Sequence, residues 1–307
     1  MGSGRWSDSD WKSYSTSHIT SKATVDGIYT SRSISKDLDP KGVAVRESCD
    51  STDNPNSTAI IVGLDVTGSM DRVLDSMARD GLKTLATEIY NRKPISDPHI
   101  MFMGIGDASC DSAPLQVTQF EADIRIAEQL TKVYLERGGG GNDHESYTLP
   151  WYFAAMNTKL DCFEKRGKKG FLFTIGDECP PPYITSEQIA EVLGEKPQFD
   201  KITSEELLTM VSRQYEVFHL MVEEGSYFRR NGDKVIKEWT NLLGQRAIRL
   251  SDHTKMGEVI ISTLQILAGE DIDKVTSSWD GSTGLVVKNA IKDLTGLTGA
   301  TEDLVKF

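Results

Sequence analysis

Apolar positions along the chain fall into two alternating kinds of run. Short, nearly continuous stretches rich in Ile, Val, Leu and Phe occur at 58–65, at His99–Asp107, at Lys168–Glu178 and at Tyr215–Val222. Runs of that length and content suit strands buried on both faces of a sheet. Between them, apolar residues recur at helical spacing. The stretch 70–91 puts Val73, Leu74, Met77, Leu82, Leu85, Ala86, Ile89 and Tyr90 on one stripe, and Pro94 with Asp97-Pro98 ends it. The same spacing predicts helices over Phe120–Leu135 and Tyr147–Leu160, with Pro150 in the first turn of the second. Further helices are expected near 185–193, 203–213, 232–243 and 255–268. Leu115–Thr118 reads as a short edge strand and Arg246–Leu250 as a last short strand.

Strands alternating with helices mean βαβ units and a mainly parallel sheet. The fold expected for residues 58–268 is therefore α/β: a doubly wound, mostly parallel six-stranded sheet flanked by helices. Two extensions differ in character. Residues 1–57 are rich in Ser, Thr and Asp and form a polar N-terminal arm. Its Trp6, Trp11, Tyr14 and Tyr29 need burial, so the arm is expected to pack on the domain, with a short strand or turn at Ala23–Tyr29. Residues 269–307 turn polar and Gly/Thr-rich and read as a C-terminal tail with short structured pieces.

Polar chemistry concentrates where the apolar runs stop. The run at 58–65 ends in Asp65, and Thr67 and Ser69 follow at i+2 and i+4 around Gly68. A carboxylate and two hydroxyls form a hard oxygen set, which suits Mg²⁺ or Mn²⁺ rather than zinc. The same residue types also cap helices. Two more apolar runs end alike, in Ile105-Gly106-Asp107 and Ile175-Gly176-Asp177. In open α/β sheets, ligands sit beyond the carboxyl ends of the strands, so three acidic strand ends favour a cation over simple capping. Gly138–Gly141 and the polar run Asn142-Asp143-His144-Glu145-Ser146 add a loop before the helix at 147. Four glycines are costly to order and imply a backbone that approaches something closely or takes positive φ.

Charge narrows the partners. The 307 residues carry a net charge of −12, which argues against nonspecific binding to nucleic acid or to anionic membranes. No apolar run approaches the roughly 18 residues of a membrane span, and the first residues lack a secretory apolar core. A cytoplasmic location with reduced thiols is the expectation. Cys49, Cys110, Cys162 and Cys179 show no C-x-x-C spacing. A three-cysteine site from Cys49, Cys110 and Cys179 is the lesser metal alternative. Phosphate-loop, nucleophile-elbow and H-E-x-x-H motifs are absent.

The apolar strand followed by Asp65-Val66-Thr67-Gly68-Ser69 resembles the D-x-[S/T]-x-S signature of von Willebrand factor A domains, and the order of elements over 58–268 is similar to that family's. The resemblance implies a metal-ion-dependent adhesion site. It implies ligands from two further loops, here Asn142 after the glycines, in place of a Thr, and Asp177, in Ile-Gly-Asp rather than Thr-Asp-Gly, with Asp143, Ser146 and Glu178 as substitutes. It further implies a non-enzymatic interaction module whose Mg²⁺ or Mn²⁺ takes a Glu or Asp side chain from a protein partner. An adaptor role beside an AAA-type ATPase complex would fit the intracellular members. Two alternatives remain open. One is a structural component of a larger assembly, such as a virion or secretion machine, anchored by the terminal arms. The other is a metal-dependent hydrolase using Asp65, Asp107, Asp177 and His144.

Overall fold

The structure is a computed structural model that describes residues 4–138 and 141–296. Ten strands occur among them: β1 (Arg46–Ser48), β2 (Thr58–Asp65), β3 (Pro98–Ile105), β4 (Leu115–Val117), β5 (Thr158–Leu160), β6 (Gly170–Gly176), β7 (Tyr183–Thr185), β8 (Lys201–Thr203), β9 (Tyr215–Val222) and β10 (Ala247–Leu250). Six of them form the central sheet, in the order β10-β9-β6-β2-β3-β4. All neighbours pair in parallel except β3 with β4. This is the α/β, doubly wound, mostly parallel sheet expected from the apolar runs. Val62 sits at its centre, level with Phe102 of β3 and Phe173 of β6.

The chain winds outward from β2 in both directions, first through β3 and β4, then through β6, β9 and β10. Strand order therefore reverses between β2 and β6, and the carboxyl ends of these two strands are where a doubly wound sheet places its ligand crevice. Alternation along β2 divides its side chains between two apolar layers. Ile60, Val62 and Leu64 face one layer, with Leu74, Leu85 and Ile260 of the helices Asp71–Ser76, Leu82–Arg92 and Met256–Leu267. Ala59 and Ile61 face the other, with Trp151, Ile189, Leu207 and Trp239 of the helices Thr148–Met156, Ser186–Leu193, Ser204–Val211 and Ser226–Leu243.

Both flanking segments contribute to the first layer. Trp11, Ile19, Ile28 and Tyr29 are buried in it, and the Tyr29 hydroxyl donates to the Leu74 carbonyl at 3.1 Å. Val275, Val287, Ile291 and Leu294 join it from the other end of the chain. The remainder of the C-terminal stretch, 297–307, lies outside the described residues.

Several expected elements differ. Ala23–Tyr29 holds a short helix, Val25–Ile28, because Ile28 and Tyr29 pack inward together rather than alternating. The helix expected over Phe120–Leu135 shrinks to Arg125–Leu130. Its first residues are drawn to the sheet, where Glu121 exchanges backbone hydrogen bonds with Ile100. The helix expected over Tyr147–Leu160 stops at Met156, and β5 then pairs with β1. The stripe at 70–91 is interrupted by one π turn, Met77–Gly81. No helix among the described residues is long and apolar enough to cross a membrane.

Candidate functional site

β2 delivers Asp65 to the switch point with its side chain fully buried. Its Oδ1 accepts from the Thr67 amide at 2.9 Å and from the Thr67 hydroxyl at 2.5 Å. Its Oδ2 accepts from the Tyr147 hydroxyl at 3.0 Å. The Thr67 bonds fold the chain back within two residues, into the 3₁₀ turn Gly68–Met70. Neither Thr67 nor Met70, the residues at the two helix starts here, makes a side-chain cap bond. The two motif hydroxyls thus point at carboxylates, and the capping explanation does not account for them.

Asp177, also fully buried, comes from the end of β6. Its Oδ1 accepts from the Ser69 hydroxyl at 3.0 Å, and its Oδ2 from the Tyr227 amide at 2.8 Å. Two glycines make the approach possible. A Cβ on Gly176 would lie 2.0 Å from the Tyr147 hydroxyl, and one on Gly225 would lie 2.2 Å from Asp177. Asp65, Thr67, Ser69 and Asp177 are thereby brought together by two strands and one helix start.

Asn142 is placed differently. It is exposed, and its side-chain amide donates to Asp107 Oδ2 at 2.6 Å. Asp107 also accepts from the Ser109 amide at 2.8 Å and the Cys110 thiol at 3.6 Å, while its own amide donates to Asp111 at 2.7 Å. Asp107 is thus bound up with its own loop. Asp143 pairs with Lys234 at the rim, and the Ser146 hydroxyl accepts from the Ala108 amide at 2.9 Å. His144 is half-buried, with Nδ1 buried and unpartnered. Gly139 and Gly140 lie outside the described residues. Cys49, Cys110 and Cys179 form no metal-sized group among the described residues.

Three residues of weight were not singled out as primary candidates: Glu145, Tyr147 and Glu178. Glu145 is only 2% exposed, and its Oε2 has no hydrogen-bond partner. Burial raises its pKa, and the charges of Asp65, Glu178, Asp107 and Asp111 raise it further. Glu178 likewise has a buried, unpartnered Oε2, and burial together with Asp65 and Asp177 pushes it up to about 8. Burial raises Asp65 too, and Asp177 adds to it, against the lowering effect of the Thr67 and Tyr147 bonds. Among the described residues, no lysine or arginine forms an ion pair with Asp65, Glu145, Asp177 or Glu178. Buried carboxylates without counter-charge are costly. The donor set is all oxygen, it lies at strand carboxyl ends, and two buried carboxylate oxygens, of Glu145 and Glu178, have no hydrogen-bond partner. These residues fit a hard divalent cation.

A second group lies farther along the same end of the sheet, after β9 and β10. Glu224, Asp252 and His253 bring ligand atoms within 4.8 Å of one another. Their atoms are engaged locally: Glu224 receives His253 Nδ1 at 2.5 Å, and Asp252 accepts from the Thr254 amide and hydroxyl at 2.9 and 2.6 Å.

No family model matches the sequence, and no curated protein matches it. Among solved structures, the pilus adhesin SpaC from Lactobacillus rhamnosus GG, in its open conformation, is similar at TM-score 0.46 and 12% identity, over 74% of this chain and 31% of the adhesin. The von Willebrand factor type A protein from Catenulispora acidiphila is similar at TM-score 0.37 and 13% identity, over 68% of this chain and 42% of that one. The chain thus spans well under half of either protein.

Proposed function

We propose that this chain is a cation-dependent protein-interaction module of the von Willebrand factor A type. Asp65, Thr67, Ser69 and Asp177 hold one Mg²⁺ or Mn²⁺, and a Glu or Asp side chain of a protein partner completes its coordination. The observation that carries this reading is the 3.0 Å bond from Ser69 to Asp177, which joins the motif loop after β2 to the end of β6 across the crevice. In this reading Asn142, whose amide binds Asp107, is not a ligand, and the Glu145 carboxylate lies beside the site, where the charge of the ion would offset its own. When bound, the ion supplies positive charge to the buried carboxylates and an attachment point for an incoming one. The chain's own part is to position the oxygens: Tyr147 fixes Asp65, and the Tyr227 amide fixes Asp177.

Isothermal titration with MgCl₂ and with MnCl₂ tests the ion. Wild type should bind one ion, and Asp65→Ala should bind none. Partner capture with and without EDTA tests the interaction. Capture that survives both EDTA and Asp65→Ala would overturn it and favour anchoring through the terminal segments in a larger assembly. Phosphoester turnover that requires Asp65 would replace it with a hydrolase.

A further inference from the structure

The N-terminal segment builds a second feature, on the far edge of the sheet. Residues 36–46 run beside β4, whose Val117 amide donates to the Leu38 carbonyl at 2.8 Å. Together with the helix Arg125–Leu130 they enclose a cleft of about 410 Å³, which is within the range of small-molecule sites. Lys36, Arg46, Arg125 and Lys132 line it, against Asp37 and Glu128. Arg125 is paired outside the cleft with Glu121 and Asp123, which leaves Lys36, Arg46 and Lys132 facing Asp37 and Glu128.

Arg46 makes this more than a surface lysine cluster. It is 9% exposed, so its guanidinium is withdrawn from water. One terminal nitrogen donates to the carbonyls of Asp37 and Val117, at 3.0 and 3.4 Å. Its Nε is buried with no partner, and no carboxylate forms an ion pair with it. Burial lowers its pKa, and the charge of Asp37, which lies beyond ion-pair distance, offsets that only in part. Its other terminal nitrogen makes no hydrogen bond among the described residues and offers two charged donors to an oxyanion. On the rim, Lys36 and Lys132 are exposed, and Lys132 reaches Asp37 only at 3.9 Å. Arg125 is held by Asp123 and Glu121, and it frames the cleft.

We propose that this cleft binds a small oxyanion, a phosphate or carboxylate group, with Arg46 at its base and Lys36 and Lys132 closing over it. Its residues are separate from those of the candidate cation site.

The test is titration of the full chain, stripped of metal on a chelating resin and held at low salt, with inorganic phosphate in one arm and acetate in the other, followed by NMR. Metal stripping and a parallel titration of Asp65→Ala keep anion capture by a metal ion out of the result. Saturable binding is expected in at least one arm, weakened by added salt, and the tighter arm assigns the ligand as phosphate or carboxylate. The double variant Lys36→Ala/Lys132→Ala should bind about fivefold more weakly, and Arg46→Met should lose binding. Should Arg46→Met not fold, the double variant, altered only at exposed positions, carries the test alone. Absence of saturable binding in both arms, or binding unchanged in the double variant, would overturn the proposal.

Discussion

The Glu145 carboxylate is almost entirely buried, with one oxygen unpartnered, and burial together with four other carboxylates raises its pKa. Replacing it with glutamine keeps the shape and removes a carboxyl that, with its pKa pushed up to about 10, must take up a proton on folding at neutral pH. Glu145→Gln should therefore stabilise EDTA-treated protein, by about 1–3 kcal/mol, while weakening Mg²⁺ binding at least about tenfold. Denaturant melts in EDTA and calorimetric titration give the two signs; destabilisation in EDTA would sink the assignment. Asp50 shows the opposite electrostatics. Burial alone would raise its pKa, but the Arg166 guanidinium, at 2.7 and 3.1 Å, and the Ser57 hydroxyl and amide outweigh it and hold the carboxyl well below the usual range. A depressed pKa contributes stability that is present above the unfolded value, near 3.9, and is lost as pH falls through the folded value. Melting temperature should thus fall below about pH 4 in wild type. Asp50→Asn should cost about 1–3 kcal/mol at pH 7, and the gap between the two proteins should close in acid. At this scale the sequence made Asp65, Thr67, Ser69 and Asp177 readable, because each stands next to an apolar run whose end it marks. Glu145 was harder to weigh, because a glutamate after four glycines looks solvated until the fold turns it inward.

The elements around the crevice owe their spacing to residues without side chains. Gly176 ends β6 directly beneath Tyr147, and an added methyl would lie 2.0 Å from the phenolic oxygen. Tyr147 is fully buried, with its ring set edge-on to both His219 and Trp239 at centroid distances of 5.0 and 5.6 Å, so it has nowhere to retreat. Gly176→Ala should therefore cost about 2–4 kcal/mol and, by pushing the Tyr147 hydroxyl off Asp65, weaken Mg²⁺ binding as well. An unchanged melt and titration would show that the ring can shift freely. The central strands were legible because burial on both faces demands continuous apolar runs, and in the structure capping boxes at Thr185 and Thr203 start two of the expected helices. Periodicity misled at Phe120–Leu135. There a helical stripe was overridden by pairing of Glu121 with the edge of β3, a long-range contact that no local pattern encodes. The three-residue strands of the β1–β5 and β7–β8 pairs lie outside the central sheet and were not read from the sequence, whereas β4, equally short, was.

For the whole molecule, the cation would act as a clamp between halves of the sheet. Asp65 belongs to the strand from which β3 and β4 wind one way, and Asp177 to the strand that leads the other way to β9 and β10. An ion held by both joins the two directions of winding at the point where strand order reverses. In the unfolded chain the proposed ligands are scattered from residue 65 to residue 177, so an ion at this site would bind the folded state far better than the unfolded one. Mass action then sets the gain in stability, about 2.7 kcal/mol when free ion stands at a hundred times its dissociation constant. The thermal midpoint should rise steadily with added MgCl₂, return to its starting value on chelation, and stay flat in Asp65→Ala. NaCl at equal ionic strength should not reproduce the rise, because screening eases the mutual repulsion of exposed charges far more than that of buried ones. A midpoint indifferent to Mg²⁺ and to Mn²⁺ would mean that the buried carboxylates are carried protonated rather than neutralised by an ion, and the crevice would lose its claim to be a cation site.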